Sequence, residues 1–443
     1  MGWHKATGKR HNTLMTTYEQ HPDSWYAAST ADLSDFPPLS GEVSTDVCVI
    51  GGGYTGLSSA IHLRKLGYQV TLLEANRVGW GASGRNGGHV GTGQRAGQDD
   101  LEKWVGESAA KDLWQLGLDA VSLVGELIDT HGIDCEWGHG CLHVASRAGH
   151  AAELEEEVAH LRDHYGYDQI AYLNKEQVAE RTSARGCHGG TLDWGSRHLH
   201  PLKYAAGLAR VAAELGVKIH EGSRVLGYEE GPLVSIRTDS GSVKAQKMVL
   251  GCNGYLGTLE PRIAGNIMPI NNFVIATEPL PDAVCERLIK DNTSMSDTLF
   301  VINYWKRSAD NRIIFGGGET YTKQFPADIK NFVRPYMLKI YPELADTRID
   351  YGWGGTLGIT MNRMPDFGRL GHNVFYAHGF SGHGVPTATL AGKLLANAIH
   401  GDTTDFDRMA AVPTHRFPGG TLLRWPGLVA GMLFYSLRDK LGV

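Results

Sequence analysis

The densest chemistry in this chain is a glycine spacing. Gly51, Gly53 and Gly56 follow the apolar run at 46–50 directly and open a stretch of helical periodicity. The first glycine permits a tight turn, and Gly53 removes the side chain that would block a pyrophosphate. Tyr54 and Thr55 would then sit at a helix N-terminus, where partial positive charge favours an anion. Glu74, followed by Ala75, ends the next apolar run, where a carboxylate accepts hydrogen bonds from an adenosine ribose and repels a 2′-phosphate. The pattern predicts a dinucleotide site that disfavours NADP. A second glycine loop, holding Gly84, Arg85, Asn86, Gly87 and Gly88, then separates NAD from FAD. A plain NAD site has no need of it, whereas FAD extends beyond its pyrophosphate into a ribityl chain and an isoalloxazine. Arg85 is expected to meet charge on the cofactor, and Gly87 and Gly88 to let backbone approach the ring.

These loops need a frame. The segment 46–74 reads as strand, glycine turn, helix and strand, with Leu57, Ala60, Ile61, Leu63 and Leu66 as the helix's apolar face and Gly67 as its stop. Residues 101–165 read as mainly helical, and a further helix spans 202–215. Residues 267–351 mix strands with one or two helices, and the late segment NVFYAHGFSGHGVPTATLAGK is again strand, glycine loop and helix. The expected fold is α/β: a Rossmann-type FAD-binding domain (1–95, 170–258 and 352–415) interleaved with an α+β substrate domain (96–169 and 259–351), then a tail helix at 416–443.

Composition bounds the function. Of 443 residues 42% are hydrophobic and 20% charged, enough for a sizeable core and unlike a disordered or fibrous chain. The 57 glycines exceed the usual share of about 7% and cluster in loops, as close backbone approach to a ligand requires. A net charge of −6 offers no broad field for nucleic acid, so no nucleic-acid partner is expected. The six cysteines form no C-x-x-C pair, and the basic N-terminal stretch lacks the apolar run of a secretory signal. A reducing, cytoplasmic setting is the simplest reading. His139 and His143 read as turn and strand with no carboxylate suitably placed, so no metal is expected. Residues 425–437 are mostly apolar but too short to span a bilayer. They are expected to dock on a subunit, another partner or a membrane surface, or against their own domain.

Taken together, residues 46–88 and the loop Gly379-Phe380-Ser381-Gly382-His383-Gly384 resemble the D-amino-acid-oxidase-like flavoprotein superfamily, which includes glycine and sarcosine oxidases. The stretches RIDYGWGGTLGITMNRMPDFGRLG, GFSGHGVPTATLAGK and FPGGTLLRWPG are similar to γ-glutamylputrescine oxidoreductases. The resemblance implies that the late loop passes the flavin and that a helix beginning near Pro386 aims its N-terminus at the ring, stabilising anionic reduced flavin. Gly379, Gly382, His383, Gly384 and Val385 join the expected cofactor set on this ground, with Val225 and Gly254.

The resemblance also implies oxidation of a C–N bond by hydride transfer to flavin N5, giving an imine that hydrolyses. Tyr304, Trp305 and Trp353 are candidates for an aromatic wall around the amine, with core positions as the alternative. His383 is expected to touch the cofactor through backbone rather than act as a base. Arg95 and Arg363 are candidates for binding a substrate carboxylate, with surface salt bridges as the alternative. Three departures from sarcosine oxidases stand out. Residues 359–364 hold no cysteine, so FAD is expected to be non-covalent. Pro386 replaces their carboxylate-binding lysine. Residues 312–315 lack their oxygen-activating lysine, which implies a modest reaction with oxygen and leaves another electron acceptor open. The leading substrate is γ-glutamylputrescine or a related polyamine derivative. A secondary or cyclic amino acid of the L-pipecolate or sarcosine type is the alternative, and a non-catalytic flavin-binding or membrane-docking component is the rival of another class.

Overall fold

The computed structural model describes residues 18–31, 33–320, 324–424 and 426. The apolar run at 46–50 is the inner half of the strand Gly41–Ile50, whose last four residues are all buried. A parallel strand between helices must be apolar on both faces. Val47 and Val49 accordingly join one cluster with Leu57 and Ile61, while Cys48 and Ile50 join another with Met248 and Leu250. This strand pairs in parallel with Val70–Leu73 on one side and Gly241–Leu250 on the other. Lys218–His220 and Val374–His378 extend the parallel set. Asp366–Leu370 and the hairpin Val225–Glu229, Val234–Thr238 complete an eight-stranded first sheet.

Two helices cover the face that carries the glycine turn. Tyr54–Lys65 makes the crossover between the first two parallel strands, and Gly384–His400 lies against it. Leu390, Leu394 and Leu395 are buried in the same cluster as Leu57, with Ile399 partly buried beside them. The late helix starts at Gly384, two residues before the expected Pro386.

The second sheet has nine strands, most of them antiparallel. Its order is Ile349–Ile359, Met268–Thr277, Ile313–Thr320, Tyr304–Arg307, Ser294–Asp297, Gly138–Val144, Gly189–His198 and His89–Val90, with Ile170–Asn174 also on Gly189–His198. The chain therefore passes between the two sheets several times, and the α/β, interleaved architecture follows from that. The strands Ile170–Asn174 and Gly189–His198 and most of Ile349–Ile359, which fall in stretches assigned above to the FAD-binding part, pair into the second sheet. The mainly helical stretch is Gln98–Val105, Glu107–His131 and Ala148–Tyr165, interrupted by the strand Gly138–Val144 that holds His139 and His143. Arg197 and His198 end the strand Gly189–His198. His200 caps the helix Pro201–Glu214, its Nδ1 accepting the Lys203 amide at 3.1 Å.

Near the start of the described chain, Trp25 and Tyr26 bury themselves against Val274, Ile314 and Trp353. At the other end, the tail residues at 425 and 427–443 lie outside the described residues. Among the described residues no helix is long and apolar enough to cross a membrane.

Candidate active site

A cavity of about 1080 Å³ runs from Glu74 past the glycine turn to His383 and on to the inner face of the second sheet. That is the upper end of the size range for small-molecule clefts. Its first half is made largely of backbone. Gly51 takes φ +108°, and a side chain there would meet the Gly251 carbonyl at 2.8 Å. A Cβ on Gly53 would stand 2.8 Å from Ser83 Oγ, so the space at the helix pole is open only because that residue is glycine. The N-cap residue Gly53 has no side chain to cap this helix, and the Tyr54 amide donates to Ser83 Oγ at 3.1 Å. A helix pole with a glycine at its N-cap, facing a glycine cradle, suits a pyrophosphate.

Glu74 lines the cavity and accepts the Gly52 amide at 2.6 Å and the Asn76 amide at 2.8 Å. The carboxylate keeps acceptor capacity for a ribose hydroxyl. Burial raises the Glu74 pKa, opposed by these amides. Arg85, expected to meet charge on the cofactor, is fixed in place by contacts of its own. Its Nε donates to the Trp80 carbonyl at 2.6 Å and its Nη1 to the Gly354 carbonyl at 3.0 Å, while its guanidinium lies 4.2 Å from the Trp80 ring centre. It lines the cavity as a clamp joining the second glycine loop to the second sheet.

Of the expected cofactor residues, Gly51, Gly53, Tyr54, Thr55, Glu74, Ala75, Arg85, Asn86, Gly87, Val225, Gly382, His383, Gly384 and Val385 line the cavity. Gly56, Gly84, Gly88, Gly254 and Gly379 do not. They sit behind the loops, where a side chain would collide with the Gly51, Gly79 and Leu199 carbonyls, the Gly358 amide and Thr360 respectively. They shape the cradle by close packing and do not form its surface.

The second half of the cavity is made of side chains. Tyr304 lies against Gly87, where a Cβ would meet its ring at 2.5 Å, and its hydroxyl donates to Asn272 Oδ1. Strand alternation turns its neighbour away. Trp305 is 1% exposed, stacks on Phe315 and donates its indole N–H to Tyr341. Trp353 is also 1% exposed, packs on Tyr26 and donates to the Arg85 carbonyl. Both are core residues, so the expected aromatic wall reduces to Tyr304.

Arg95 and Arg363 both line the cavity. Arg95 donates to the Ser381 carbonyl at 3.1 Å, tying it to the late glycine loop. Burial first, and then repulsion from Arg363, lowers its pKa. Arg363 holds its guanidinium 5.4 Å from the ring centre of Phe300. His383 is lowered to about 4, by burial first and the Arg95 charge second, and is neutral at ordinary pH. Its Nε2 is buried without a hydrogen-bond partner. An orphaned polar atom beside the glycine loop is what a site made to receive a polar cofactor leaves behind.

Several lining residues carried no sequence signal that singled them out. Ser83 left only a hydroxyl in a glycine loop. Asn272, Phe300, Asp193 and Thr92 come from strands and loops remote in sequence.

Comparison with known proteins agrees with this geometry. A family model described as FAD dependent oxidoreductase matches residues 46–398, and one described as pyridine nucleotide-disulphide oxidoreductase matches residues 6–79. The chain is 39% identical over 425 residues to the gamma-glutamylputrescine oxidoreductase of Escherichia coli (strain K12), covering 96% of this chain and 100% of that protein. It is 39% identical over 418 residues to the probable oxidoreductase OrdL of Rhizobium meliloti (strain 1021), covering 94% and 97%. Among solved structures, glycine oxidase from Geobacillus kaustophilus superposes with a TM-score of 0.71 at 20% identity, covering 85% of this chain and 100% of that one. That last likeness shows the fold.

Proposed function

The chain belongs to the family of FAD-dependent oxidoreductases and is an enzyme acting on an amine or amino acid, and we propose that γ-glutamylputrescine is its substrate. The observation that carries this reading is the convergence of Arg95 and Arg363 on the chamber beside the late glycine loop. Two cations that repel each other in a partly desolvated site favour an anion between them. A substrate carboxylate meets that need, and the relative in Escherichia coli is named for an amine carrying one.

Bound FAD supplies the hydride acceptor at N5. The chain's own part is positional. Residues 51–55 would hold the pyrophosphate, Glu74 the ribose, and the amide pole of the helix Gly384–His400 would offset negative charge at the ring. Arg95 and Arg363 anchor the far end of the substrate, and Tyr304, held by Asn272, walls the reacting end. His383 stays neutral and does not serve as a cation. FAD is held without a covalent bond on this reading. Residues 359–364 hold no cysteine, and burial pushes the cavity-lining Cys141 and Cys252 thiols up to about 11 and about 12. Acid precipitation should therefore release all the flavin into the supernatant.

Anaerobic mixing of the purified holoenzyme with γ-glutamylputrescine, L-pipecolate and sarcosine tests the substrate. γ-Glutamylputrescine should bleach the flavin fastest. Faster bleaching by L-pipecolate or sarcosine would replace this reading with the cyclic or secondary amino-acid one.

A further inference from the structure

The chamber has a second charged group that the proposed reaction has not used. Asp193 lies on the strand Gly189–His198, is 7% exposed and lines the cavity. Its carboxylate accepts hydrogen bonds from the Tyr167 and Ser196 hydroxyls, from Thr92 Oγ1 at 2.7 Å and from the Gly195 amide at 2.9 Å. All four donors are neutral.

That arrangement fixes the polarity of the wall. A hydroxyl has one proton and two acceptor lone pairs, and an ionised carboxylate can only accept. Thr92 and Ser196 must therefore spend their protons on Asp193, and Ser196 Oγ also accepts the Thr92 amide at 3.2 Å. Both residues line the cavity, so their hydroxyl oxygens are left with acceptor capacity only, backed by a buried negative charge. Such a surface suits a cationic hydrogen-bond donor.

The cationic pole is close. Thr92 and Arg95 are three residues apart, so their Cα atoms are separated by no more than about 11 Å. The Arg95 charge also reaches His143, which pairs across the sheet with Thr191 on the same face as Asp193. The chamber is thus dipolar, with Arg95 and Arg363 at one pole and the Asp193 hub at the other.

We propose that Asp193, acting through the Thr92 and Ser196 hydroxyls, recognises the non-reacting α-ammonium of an amino-acid head whose carboxylate lies on Arg95 and Arg363. This rests on the proposed γ-glutamyl substrate class for its choice of head group. Asp193 is a positioning residue in this account: it orients the hydroxyls that touch the substrate and takes no part in bond breaking.

Calorimetric titration of the holoenzyme with two unreactive ligands tests it separately from turnover. One is γ-glutamyl ethylamide, which carries the amino-acid head but no oxidisable terminal amine. The other is N-ethylglutaramic acid, which lacks only the α-ammonium. The native enzyme should bind the first at least tenfold more tightly. Asp193→Asn should erase that preference while leaving N-ethylglutaramic acid binding within a few-fold. Thr92→Val keeps the carboxylate and guards against a folding defect in the first variant; it should reduce the preference about threefold or more. Equal affinity for the two ligands, no binding of either, or equal weakening of both in the variants would overturn the proposal. Failure of the enzyme to oxidise γ-glutamylputrescine while the binding preference holds would instead overturn the substrate reading alone.

Discussion

The two halves of the cavity are built from different materials. Around Gly51, Gly53 and Gly382 the wall is largely main chain, brought close by missing side chains and set by helix ends. Around Tyr304, Arg95 and Asp193 it consists of side chains from strands and loops far apart in sequence, each aimed by a specific hydrogen bond. A main-chain wall tolerates little where an added atom meets backbone, as a Cβ on Gly51 would at the Gly251 carbonyl. A side-chain wall can be retuned one residue at a time. Cofactor binding and substrate choice should therefore respond to mutation in different ways.

The largest effect is expected in the main-chain half. Gly53→Val fills the space between the helix pole and Ser83 Oγ, already 2.8 Å from a Cβ at that position. FAD retention should fall more than a hundredfold in a chain that still folds, read as flavin absorbance per protein after gel filtration. A folded variant with normal flavin content would break the contrast between the halves.

In the side-chain half, Arg95→Leu should leave flavin content intact and raise KM. A charge-assisted hydrogen bond contributes about 1.5–3 kcal/mol, which is roughly 10- to 150-fold. Arg363→Leu should act in the same direction. Unchanged KM in both would move the carboxylate anchor elsewhere.

A smaller effect sharpens the boundary between the halves. The strand at 312–315 has no lysine, but Lys306 on the neighbouring strand is buried, donates to the Leu199 carbonyl and lies 3.2 Å from where a Gly88 Cβ would be. Burial lowers its pKa to about 8. Its charge sits just behind the second glycine loop. Oxygen should reoxidise the reduced enzyme at a modest rate in stopped flow, and Lys306→Met should slow that step several-fold with little change in reduction by substrate. An unchanged rate would remove Lys306 from the oxidative half-reaction.

A further effect concerns acid stability. Burial lowers His89, His143 and His383 to about 4, and His198 to about 3. Between their ordinary value near 6.5 and these depressed values, the unfolded chain binds more protons than the native one. Stability from these groups is present above about pH 6.5 and is lost as pH falls toward 4. Thermal melts should show Tm dropping steadily across that window, and a flat Tm would contradict the buried neutral histidines.

This difference in material also explains what the sequence revealed. Gly51, Gly53 and Glu74 act through local geometry within one βαβ unit, so spacing alone exposed them. The glycines behind the loops were visible as glycines, but spacing does not tell a surface from the packing beneath it. Tyr304, Trp305 and Lys306 show the harder case. Their alternation is plain, yet which phase faces the cavity depends on pairing with strands remote in sequence. Trp305 and Trp353 looked like a substrate wall and are core. Asp193 left no mark beyond a carboxylate in an apolar strand, because its partners Thr92 and Tyr167 come from other segments.

On the proposed reading, one cavity presents an amine to the flavin while cationic side chains hold a carboxylate at its far end. Anaerobic stopped-flow reduction of the holoenzyme by γ-glutamylputrescine and by putrescine tests it most directly, since putrescine lacks the γ-glutamyl head that carries the carboxylate and has a free ammonium in place of the amide. Limiting reduction rates should agree within a few-fold, while the half-saturating concentration of putrescine should be at least about tenfold higher, as loss of a charge-assisted bond requires. Equal or lower half-saturation with putrescine would contradict the account.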